Sequence, residues 1–557
     1  MAAETSELDV LRERARAWLD DDPDPASRAE LAAVLDRLPD SVADLADRFA
    51  GPLTFGTAGL RGPLRAGPNG MNLAVVTQAA AGLVGWLGAR RASGPLVIGY
   101  DARRGSKAFA ERTAQVATGA GRPAMVLPRP LPTPVLAHAV RALDAVAGVM
   151  VTASHNPPQD NGYKVYLGAE LGGPLGAGAQ IVPPVDTEIE AAIRAAGPLL
   201  AVPLGPPGQV LGDGVPVSYV ATAAAVIAPA GPRGLTIAYT PLHGVGAAVL
   251  TAVFARAGFA IPGVVPEQAE PDPAFPTVPF PNPEEPGAID RLIKLARTTG
   301  ADLAIANDPD ADRCAVAIPD PEREWRMLHG DEVGVLLADH LMRRGVAGRY
   351  ATTIVSSSLL RAMCHARGLP YGETLTGFKW IVRGPLRTGV PLAFGYEEAL
   401  GYCVAPDHVR DKDGITAALT FAELAAGLKA TGHTVTDRLD ELAAEFGVYL
   451  TDQLSVRVDA LREIGTTMTH IRRKTPTTLL DEPVTSVDDL APAADVLILR
   501  TESARVVIRP SGTEPKLKAY LEVVEPVFDG DVSGARERAA ASVRALRTET
   551  AAALGIW

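Results

Sequence analysis

The sequence is organised around Thr152-Ala153-Ser154-His155-Asn156-Pro157, which follows the apolar segment Ala147-Gly148-Val149-Met150-Val151. The apolar segment predicts a buried strand, and Asn156-Pro157 predicts the turn that ends it. We therefore expect the hydroxyl of Ser154 at the end of a rigid strand, beside the imidazole of His155, as nucleophilic catalysis requires. The alternative is a turn in which Ser154 and Asn156 bond only to nearby backbone.

A repeated pattern of strand and helix surrounds this segment. Strands are predicted at residues 96–101, 235–239 and 352–355. Each is followed by a helix that is expected to end near a glycine, at Gly119, Gly258 and Gly368. Each repeat then supplies a strand that stops at a polar loop, at residues 148–151, 303–306 and 392–394. The alternation predicts largely parallel α/β sheets with ligand-binding loops at the carboxyl ends of their strands.

The two ends of the chain differ from this repeat. Residues from about 5 to 48 read as acidic amphipathic helices, and the Pro-rich stretch 197–216 reads as a linker. Near the C-terminus we expect a strand at 504–508, a loop at 509–516, a strand at 517–523 and a helix at 533–553. The predicted fold class is α/β: three similar α/β domains with mixed sheets and a smaller α+β C-terminal domain, around one central cleft. The expected domains are residues 1–205, 206–325, 326–450 and 451–557.

Composition excludes several classes of function. The chain has 557 residues and a formal net charge of -12, with no Lys/Arg-rich block, so we expect no nucleic-acid partner. No apolar run reaches the ~18 residues of a membrane span, and the N-terminus lacks a signal-peptide pattern, so we expect no membrane association. Three widely spaced cysteines fit a reducing compartment. We expect a cytoplasmic protein.

A second polar loop contains three carboxylates in alternate positions: Asp308-Pro309-Asp310-Ala311-Asp312-Arg313. They can converge on one hard cation, for which Mg²⁺ is the expected choice, and Arg313 is a possible phosphate ligand. An EF-hand is excluded because Arg313 and Pro319 stand where a glycine and a glutamate are needed. A solvated acidic turn is the alternative.

Three further loops have weaker signals. In loop 395–401, Glu397 and Glu398 could accept hydrogen bonds from sugar hydroxyls or could complement a helix dipole. Residues 509–516 combine an arginine, hydroxyls, a glycine and a lysine, which favours a phosphate clamp over a plain hairpin turn. Loop 55–62 places three glycines around Arg61 and is either an anion-binding loop or an ordinary turn.

In combination these motifs resemble the α-D-phosphohexomutase superfamily of phosphoglucomutases and phosphomannomutases. The matching stretches are FGTAGLRG (55–62), TASHNPPQDNGYK (152–164), DPDADR (308–313), GYEEALG (395–401) and RPSGTEPK (509–516). The resemblance implies a phosphoserine at Ser154, sugar contacts from Glu397 and Glu398, and Mg²⁺ on the three aspartates together with Ser154. It also implies a phosphate site in the last domain, for which the candidates are Arg509, Ser511, Gly512, Thr513 and Lys516.

Further residues match the family position by position. Arg61 matches the arginine of the first loop, His155 and Lys164 belong to the serine motif, and Lys379 matches a lysine near the substrate. The stretch 407–414, with His408 and Arg410, resembles another recurrent family segment. One departure is Ala399, where many members carry serine. GYEEALGY and YTPLHGVG (239–246) resemble the branch that also contains phosphopentomutases.

The expected function is that of a phosphotransferring isomerase, a mutase that interconverts hexose 1-phosphate and hexose 6-phosphate of glucose, mannose or both. It would use a phosphoserine and a sugar 1,6-bisphosphate, which serves as intermediate and activator. Lys164, His155 and Lys379 remain alternatives for moving the hydroxyl proton. A phosphopentomutase and a sugar-phosphate phosphatase are the alternative functions. The expected partners are small sugar phosphates, and the expected assembly is a monomer or a homodimer.

Overall fold

The structure is a computed structural model that describes residues 7–55, 59–320, 324–384, 389–457, 461–511 and 516–555. The chain forms two compact units. Unit 1 comprises Met1–Leu328, Phe378–Arg387 and Gly401–Ala426, and unit 2 comprises His329–Gly377, Thr388–Leu400 and Gly427–Trp557.

Unit 1 begins with three helices, as the acidic amphipathic pattern predicts: α1 (Glu7–Asp21), α2 (Pro25–Asp36) and α3 (Val42–Arg48). The Asp24 side chain caps α2 by accepting hydrogen bonds from the amides of Ala26 and Ser27. The helices enclose a small core of their own that contains Leu31 and Phe49. Arg48 joins this core to the following segment, because its guanidinium donates to the carbonyl oxygen of Ala66 at 3.2 Å.

The first sheet of unit 1 has the strand order β1-β5-β4-β2-β3-β7, with β6 paired to β5. Its strands are β1 (Leu60–Pro63), β2 (Leu96–Tyr100), β3 (Ala124–Val126), β4 (Ala147–Val151), β5 (Asp160–Leu167), β6 (Ala179–Gln180) and β7 (Gln209–Val210). The helices that accompany it are α4 (Leu73–Ala89), α5 (Ser106–Gly119), α6 (Thr133–Ala142), α7 (Ala169–Gly176), α8 (Val185–Arg194) and α9 (Gly214–Ala224). Strands β2 and β4 are parallel, whereas β5 is antiparallel to β4 and to β1, so the sheet is mixed.

The second sheet of unit 1 has the order β12-β11-β10-β8-β9. Its strands are β8 (Ile237–Thr240), β9 (Gly263–Val264), β10 (Leu303–Ala306), β11 (Ala315–Pro319) and β12 (Trp325–Met327), with helices α10 (Ala247–Arg256) and α11 (Asp290–Thr299). Strand β10 is parallel to β8 and antiparallel to β11. The chain therefore reverses direction between β10 and β11, and the loop with the three aspartates (the aspartate loop, residues 308–313) makes this turn.

Between residues 330 and 430 the chain contributes to both units. The elements of unit 2 here are α12 (Gly330–Arg343), β13 (Arg349–Thr353), α13 (Leu359–Ala366), β14 (Tyr371–Thr374) and β15 (Leu392–Glu397). Strand β13 is parallel to both β14 and β15. Helix α14 (Phe378–Ile381), strand β16 (Gly401–Cys403) and most of α15 (Gly414–Ala430) fall in unit 1.

The C-terminal part of unit 2 is an antiparallel sheet of order β17-β23-β22-β21-β20. Its elements are α16 (Val435–Phe446), β17 (Val448–Arg457), α17 (Leu461–Arg473), β20 (Ser486–Asp489), β21 (Leu497–Arg500), β22 (Ala504–Pro510), β23 (Lys516–Glu525) and α18 (Val532–Ala553), with β18 (Thr478–Leu479) paired to β19 (Glu482–Pro483). The expected α+β arrangement is confirmed here. Leu497, Ile508 and Leu521 from the sheet and Met468 and Leu546 from the helices share one buried core.

Several predicted boundaries differ from the structure. The predicted linker contains β7, which extends the edge of the first sheet by pairing with β3. The strand predicted at 352–355 ends at Thr353, because the chain turns there and the amide of Ser356 bonds back to the Thr353 carbonyl. Gly119 is the last residue of α5, and Gly121, with φ of 79°, takes the left-handed conformation expected of the glycine at the helix end. Among the described helices, none is long and apolar enough to cross a bilayer.

Candidate active site

Ser154 lies directly beyond the carboxyl end of β4. Its side chain is buried, and its amide donates to the Thr152 hydroxyl at 2.9 Å. Its φ is 51°, a left-handed backbone conformation that residues other than glycine adopt only when their surroundings hold them there. The amide of Asn156 closes the turn by bonding to the Ala153 carbonyl. The serine predicted at a strand end is therefore found there, on a tightly turned loop.

The side chains of Asp308, Asp310 and Asp312 are fully buried, and hydrogen bonds to its own backbone hold the aspartate loop in shape. Asp308 Oδ1 accepts from the amide of Arg313 at 3.1 Å, and the Asn307 side chain donates to the carbonyl of Arg313 at 2.5 Å. One oxygen of each aspartate lies within 4.8 Å of those of the other two. Burial and mutual repulsion raise the pKa of Asp308 well above its ordinary value. The solvated acidic turn is thus excluded.

The serine and the aspartates meet at one point. The hydroxyl of Ser154 donates to Asp308 Oδ2 at 2.6 Å. His155 Nδ1 lies 3.4 Å from Ser154 Oγ, and its Nε2 lies 3.3 Å from Arg313 Nη1. Arginine only donates, so Nε2 is the acceptor and the proton of a neutral His155 lies on Nδ1, facing the serine oxygen. Ser154 Oγ therefore stands between a carboxylate that accepts its proton and an imidazole that faces its lone pairs.

Lys164 bonds to the other two aspartates. Its Nζ donates to Asp310 Oδ2 at 2.8 Å and to Asp312 Oδ2 at 3.0 Å, with 2% of the side chain exposed. The pairing of β5 with β4 places it there, since Lys164 is opposite Met150 in that ladder. Burial by itself lowers the pKa of Lys164, but the two carboxylates outweigh burial and hold the pKa above its usual range. The ammonium is therefore charged at neutral pH and partly neutralises the cluster.

Residues outside the sequence predictions complete the cluster. Thr133, at the start of α6, donates to Asp310 Oδ2 at 2.6 Å. Lys412 Nζ lies 3.3 Å from Asp312 Oδ2. A side chain at Gly414 would clash there, because its Cβ would fall 2.2 Å from the Arg313 carbonyl oxygen. Lys412 lies in the stretch 407–414, whose resemblance to a family segment could have pointed to it, whereas nothing in the local sequence marks Thr133.

The donor set fits a divalent cation. The Oδ1 atoms of Asp310 and Asp312 are buried and receive no hydrogen bond from a donor among the described residues. Buried carboxylate oxygens of this kind are hard ligands with unused lone pairs, which is the chemistry that Mg²⁺ requires. A cation on these oxygens would compete with the Lys164 ammonium for the same carboxylates.

Arg61 joins the serine loop from the neighbouring strand β1. Its Nη1 donates to Asn156 Oδ1 at 2.8 Å. Burial lowers the pKa of Arg61, and the negative charges of Asp310 and Asp312 act against that effect. The guanidinium therefore adds positive charge close to the aspartates. Residues 56–58 of the same predicted loop lie outside the described residues.

Three other predicted residues of unit 1 have different surroundings. His408 packs against α6 and α9: its ring centroid is 5.1 Å from that of His138 and 4.9 Å from that of Tyr219. Burial lowers the pKa of His408 to about 4, so the ring is neutral at physiological pH. Arg410 is partly buried, and burial lowers its pKa. Lys379 is buried in α14, and burial likewise lowers its pKa. Their roles toward a substrate stay predictions.

In unit 2, Glu397 and Glu398 stand at the end of β15. Glu397 Oε1 accepts from the amide of Gly377 at 2.8 Å. Glu398 Oε2 accepts from the hydroxyls of Ser356 at 3.0 Å and Thr353 at 3.2 Å. Burial raises the pKa of Glu398. Both carboxylates are therefore oriented by partners on the neighbouring loops rather than placed as free charges of a helix terminus.

The predicted phosphate clamp lies where β22 and β23 form a hairpin. Arg509 is in the last part of β22 and interacts with the hydroxyl of Tyr520. The amide of Ser511 bonds to the carbonyl of Lys516 at 2.7 Å and closes the described part of the turn. Gly512 and Thr513 lie outside the described residues. The hairpin is thus observed, and its role as a clamp stays a prediction.

Comparison with known proteins identifies the domains of the chain. Models of phosphoglucomutase/phosphomannomutase domains match the chain four times: alpha/beta/alpha domain I at residues 52–198, domain II at 217–321, domain III at 329–446 and the C-terminal domain at 470–527. A protein of Haemophilus influenzae named a probable phosphomannomutase is 47% identical over 81% of this chain and 93% of its own. The human phosphopentomutase is 32% identical over 87% of each chain.

A solved structure gives the same result for the fold. A Thermus thermophilus protein, provisionally named a phosphomannomutase, is 25% identical and superposes with a TM-score of 0.69, covering 90% of this chain and 99% of its own. All four domain models occur here in order along the chain. The chain belongs to the phosphoglucomutase/phosphomannomutase family.

Proposed function

We propose that this protein is a mutase that interconverts the 1-phosphate and 6-phosphate of a hexose, glucose or mannose or both, through a phosphoserine at Ser154. The observation that carries the proposal is the 2.6 Å hydrogen bond from the Ser154 hydroxyl to Asp308 Oδ2, inside a buried cluster of carboxylates. A buried serine whose hydroxyl donates a hydrogen bond to a carboxyl group has an oxygen suited to receive and return a phosphoryl group.

We propose Asp308, Asp310, Asp312 and Ser154 as the residues that hold Mg²⁺. The Oδ1 atoms of Asp310 and Asp312, which have no hydrogen-bond partner among the described residues, and the mutual approach of the three carboxylates support this assignment. When bound, the cation supplies positive charge against the oxygens of the transferring phosphoryl group. Lys164 would share that task, because its ammonium bonds to the same aspartates.

The chain's own groups account for the remaining requirements of transfer. A sugar hydroxyl attacks the phosphorus carried on Ser154 Oγ, the P–O bond to the serine breaks, and the hydroxyl proton passes to a nearby base. Of the three alternatives for that proton, we favour His155 and Lys379 over Lys164, because Lys164 is held as a charged ammonium by Asp310 and Asp312 and has no lone pair to accept it. Arg61 and Arg313 flank the serine through Asn156 and His155 and add positive charge where the phosphoryl group develops negative charge.

The bisphosphate formed in this way must return its other phosphoryl group to Ser154, so a sugar 1,6-bisphosphate serves as intermediate and activator. We propose that Glu397 and Glu398 accept hydrogen bonds from the sugar hydroxyls and that His408 and Arg410 contribute to substrate binding. The phosphate that does not react is assigned to the last domain, with the set Arg509, Ser511, Gly512, Thr513 and Lys516.

A phosphopentomutase is the second candidate, with ribose or deoxyribose 1-phosphate as substrate. Two observations favour it. The human phosphopentomutase matches 87% of the chain, and a yeast phosphoribomutase is 32% identical over 92% of it. Ala399 also stands where many family members carry serine, next to Glu398, so the sugar loop lacks that hydroxyl.

Parallel turnover assays on glucose 1-phosphate, mannose 1-phosphate and ribose 1-phosphate, each with Mg²⁺ and the matching bisphosphate, test the proposal. Faster conversion of either hexose phosphate supports the first candidate, and faster conversion of ribose 1-phosphate supports the second. Release of free phosphate without isomer would contradict both and would indicate a sugar-phosphate phosphatase.

We further propose the four domain boundaries 1–205, 206–325, 326–450 and 451–557, which are compatible with the residues matched by the four domain models. We also propose a cytoplasmic monomer or homodimer. Cys314, Cys364 and Cys403 are all buried free thiols, which suits a reducing compartment.

A further inference from the structure

Arg103 is a buried arginine that donates hydrogen bonds to several backbone carbonyl oxygens of the serine loop (residues 152–160). Arg103 Nη2 donates to the carbonyl oxygens of Ser154 at 2.6 Å and Asn156 at 2.5 Å. Its Nη1 donates to the carbonyl oxygens of Pro157 at 2.8 Å and Asp160 at 3.2 Å. The Arg103 side chain is 1% exposed, and its bond to the Ser154 carbonyl is buried, whereas the other three acceptors belong to partly exposed residues.

The sheet fixes the position of this guanidinium. Asp101 directly follows β2, and its amide donates to the carbonyl of Val151, the last residue of β4, at 3.0 Å. The Asp101 carboxylate accepts from the Arg103 amide at 3.0 Å and lies 3.5 Å from its Nε. The ring of Phe275 covers the guanidinium, with its centroid 5.0 Å from Cζ. Asp101 at the end of β2 and the ring of Phe275 therefore fix the position of Arg103 independently of its bonds to the serine loop.

The serine loop needs such a donor because of its own geometry. Four carbonyl oxygens that point toward one donor repel each other, and the carbonyl of the buried Ser154 would be unfavourable without a donor. Ser154 is also left-handed, a conformation that relaxes when its carbonyl is released. Since the bond to the Ser154 carbonyl fixes the orientation of that peptide, it also fixes the direction of Cβ and Oγ.

We propose that Arg103 is the positioning residue of the active serine. Its guanidinium bonds to backbone carbonyls and lies beside Asp101, and it holds the backbone of Ser154 so that Oγ stays in hydrogen-bonding contact with Asp308. This inference rests on the proposed function of Ser154 as the phosphoryl carrier. None of the family motifs quoted from the sequence includes Arg103.

The test compares Arg103→Lys and Arg103→Met with the wild type. A lysine keeps the charge but cannot span four carbonyls, and a methionine loses every bond. Because a displacement of about 1 Å at a reacting group costs about a hundredfold, we expect kcat to fall about a hundredfold for methionine and less for lysine. KM for the sugar phosphate should stay within about threefold, since ground-state binding is untouched. Amide hydrogen exchange should accelerate only in the peptide that spans 150–163.

Two further variants keep the test decisive. Asp101→Asn with Arg103→Met removes both charges, so a buried carboxylate is not left alone if the single variant fails to fold. Arg122→Met is the matched control, because Arg122 also donates to two backbone carbonyls of unit 1, those of Ala92 and Gly94. Its kcat per folded molecule should equal that of the wild type within about twofold.

The outcomes separate the inference from the proposed function. Equal kcat for the Arg103 and Arg122 variants, or a rise in KM that accounts for the loss, would overturn the positioning role. A wild type without mutase turnover would instead refute the proposed function. In that case hydrogen exchange alone decides: faster exchange confined to the serine loop supports the role of Arg103, and unchanged or global exchange overturns it.

Discussion

Replacing Lys164 by methionine should have opposite effects on stability and on metal affinity. The ammonium is buried between Asp310 and Asp312, so its removal leaves uncompensated carboxylates in the metal-free protein. The same ammonium competes with a cation for these carboxylates, so its removal should also allow Mg²⁺ to bind more tightly. We expect Lys164→Met to be less stable than the wild type without metal and more strongly stabilised by Mg²⁺.

The ion pairs of Lys164 determine the size of the loss in stability and of the gain in Mg²⁺ affinity. Removing one partner of a buried ion pair costs about 3–5 kcal/mol. At about 1–2 °C per kcal/mol for a unit of this size, the unfolding midpoint in EDTA should fall by roughly 3–10 °C. Each charge-assisted bond from Nζ is worth about 1.5–3 kcal/mol, so relief from even one should tighten Mg²⁺ binding about tenfold or more.

Differential scanning calorimetry in EDTA and over a series of Mg²⁺ concentrations measures both quantities without reference to turnover. Lys379→Met is the control, since Lys379 is also buried in unit 1 but its pKa is lowered by burial rather than raised by carboxylates. It should not change the dependence of the midpoint on Mg²⁺. Wild-type or weaker Mg²⁺ affinity in Lys164→Met would refute the competition between ammonium and cation, and with it this reading of the cluster.

Three other changes have defined outcomes. Burial raises the pKa of Asp331 to about 6, so the folded protein retains this proton at a pH where the unfolded chain has lost it. The contribution of this group to the free energy of unfolding therefore decreases as pH rises from about 4 to 6. Asp331→Asn should remove that decrease and gain about 3 kcal/mol in free energy of unfolding relative to the wild type between pH 4 and 8, and a difference between the two proteins that does not change with pH would contradict the assignment. Thr133 is a neutral donor that orients Asp310 without competing for its charge as the Lys164 ammonium does, so Thr133→Val should weaken Mg²⁺ binding about ten- to a hundredfold. Thr420→Val, which removes a buried bond inside α15, should not weaken it, and equal affinities of the two variants would argue against metal on Asp310. Arg509→Ala should raise KM for the sugar phosphate about ten- to a hundredfold, and added bisphosphate should restore part of the lost rate. Arg500→Ala, on the neighbouring strand, is the control and should leave KM unchanged and show no rescue. An unchanged KM in Arg509→Ala would show that Arg509 is not part of the clamp.

The local parts of the site could be predicted because their signals are local. The apolar residues of β4 and the following Asn156-Pro157 define a strand end within a dozen residues, and the structure places Ser154 there. Asp308, Asp310 and Asp312 alternate along one loop, so their convergence needs no information from elsewhere in the chain. The fold class follows in the same way from the alternation of strands and helices.

The contacts between distant segments could not be predicted. Lys164 reaches aspartates 146 and 148 residues further along the chain, and that depends on the register of β5 and on how two sheets are placed together. Arg103 and Thr133 lie in segments whose local sequence is typical of a strand–helix turn and a helix start. Their importance appears only when the Ser154 loop and the Asp310 loop are brought beside them.

Strand ends were the least predictable elements. Residues 349–355 are nearly all compatible with a strand, so propensity could not locate its limits. The limits come from the partners: Arg349 pairs with Leu392 at one end, and Thr353 pairs with Thr374 at the other. The surroundings of His408 were equally unpredictable, since the resemblance of its motif gave no sign of the contact with His138.

The most direct test of the central claim is the covalent state of Ser154. Intact-mass measurement after incubation with glucose 1,6-bisphosphate and Mg²⁺ should show one added phosphoryl group, and peptide mapping should place it on Ser154. Ser154→Ala should carry no such group, and its mutase turnover should fall by several orders of magnitude. A phosphoryl group on another residue, or near-normal turnover in Ser154→Ala, would contradict the assignment of Ser154 as the phosphoryl carrier.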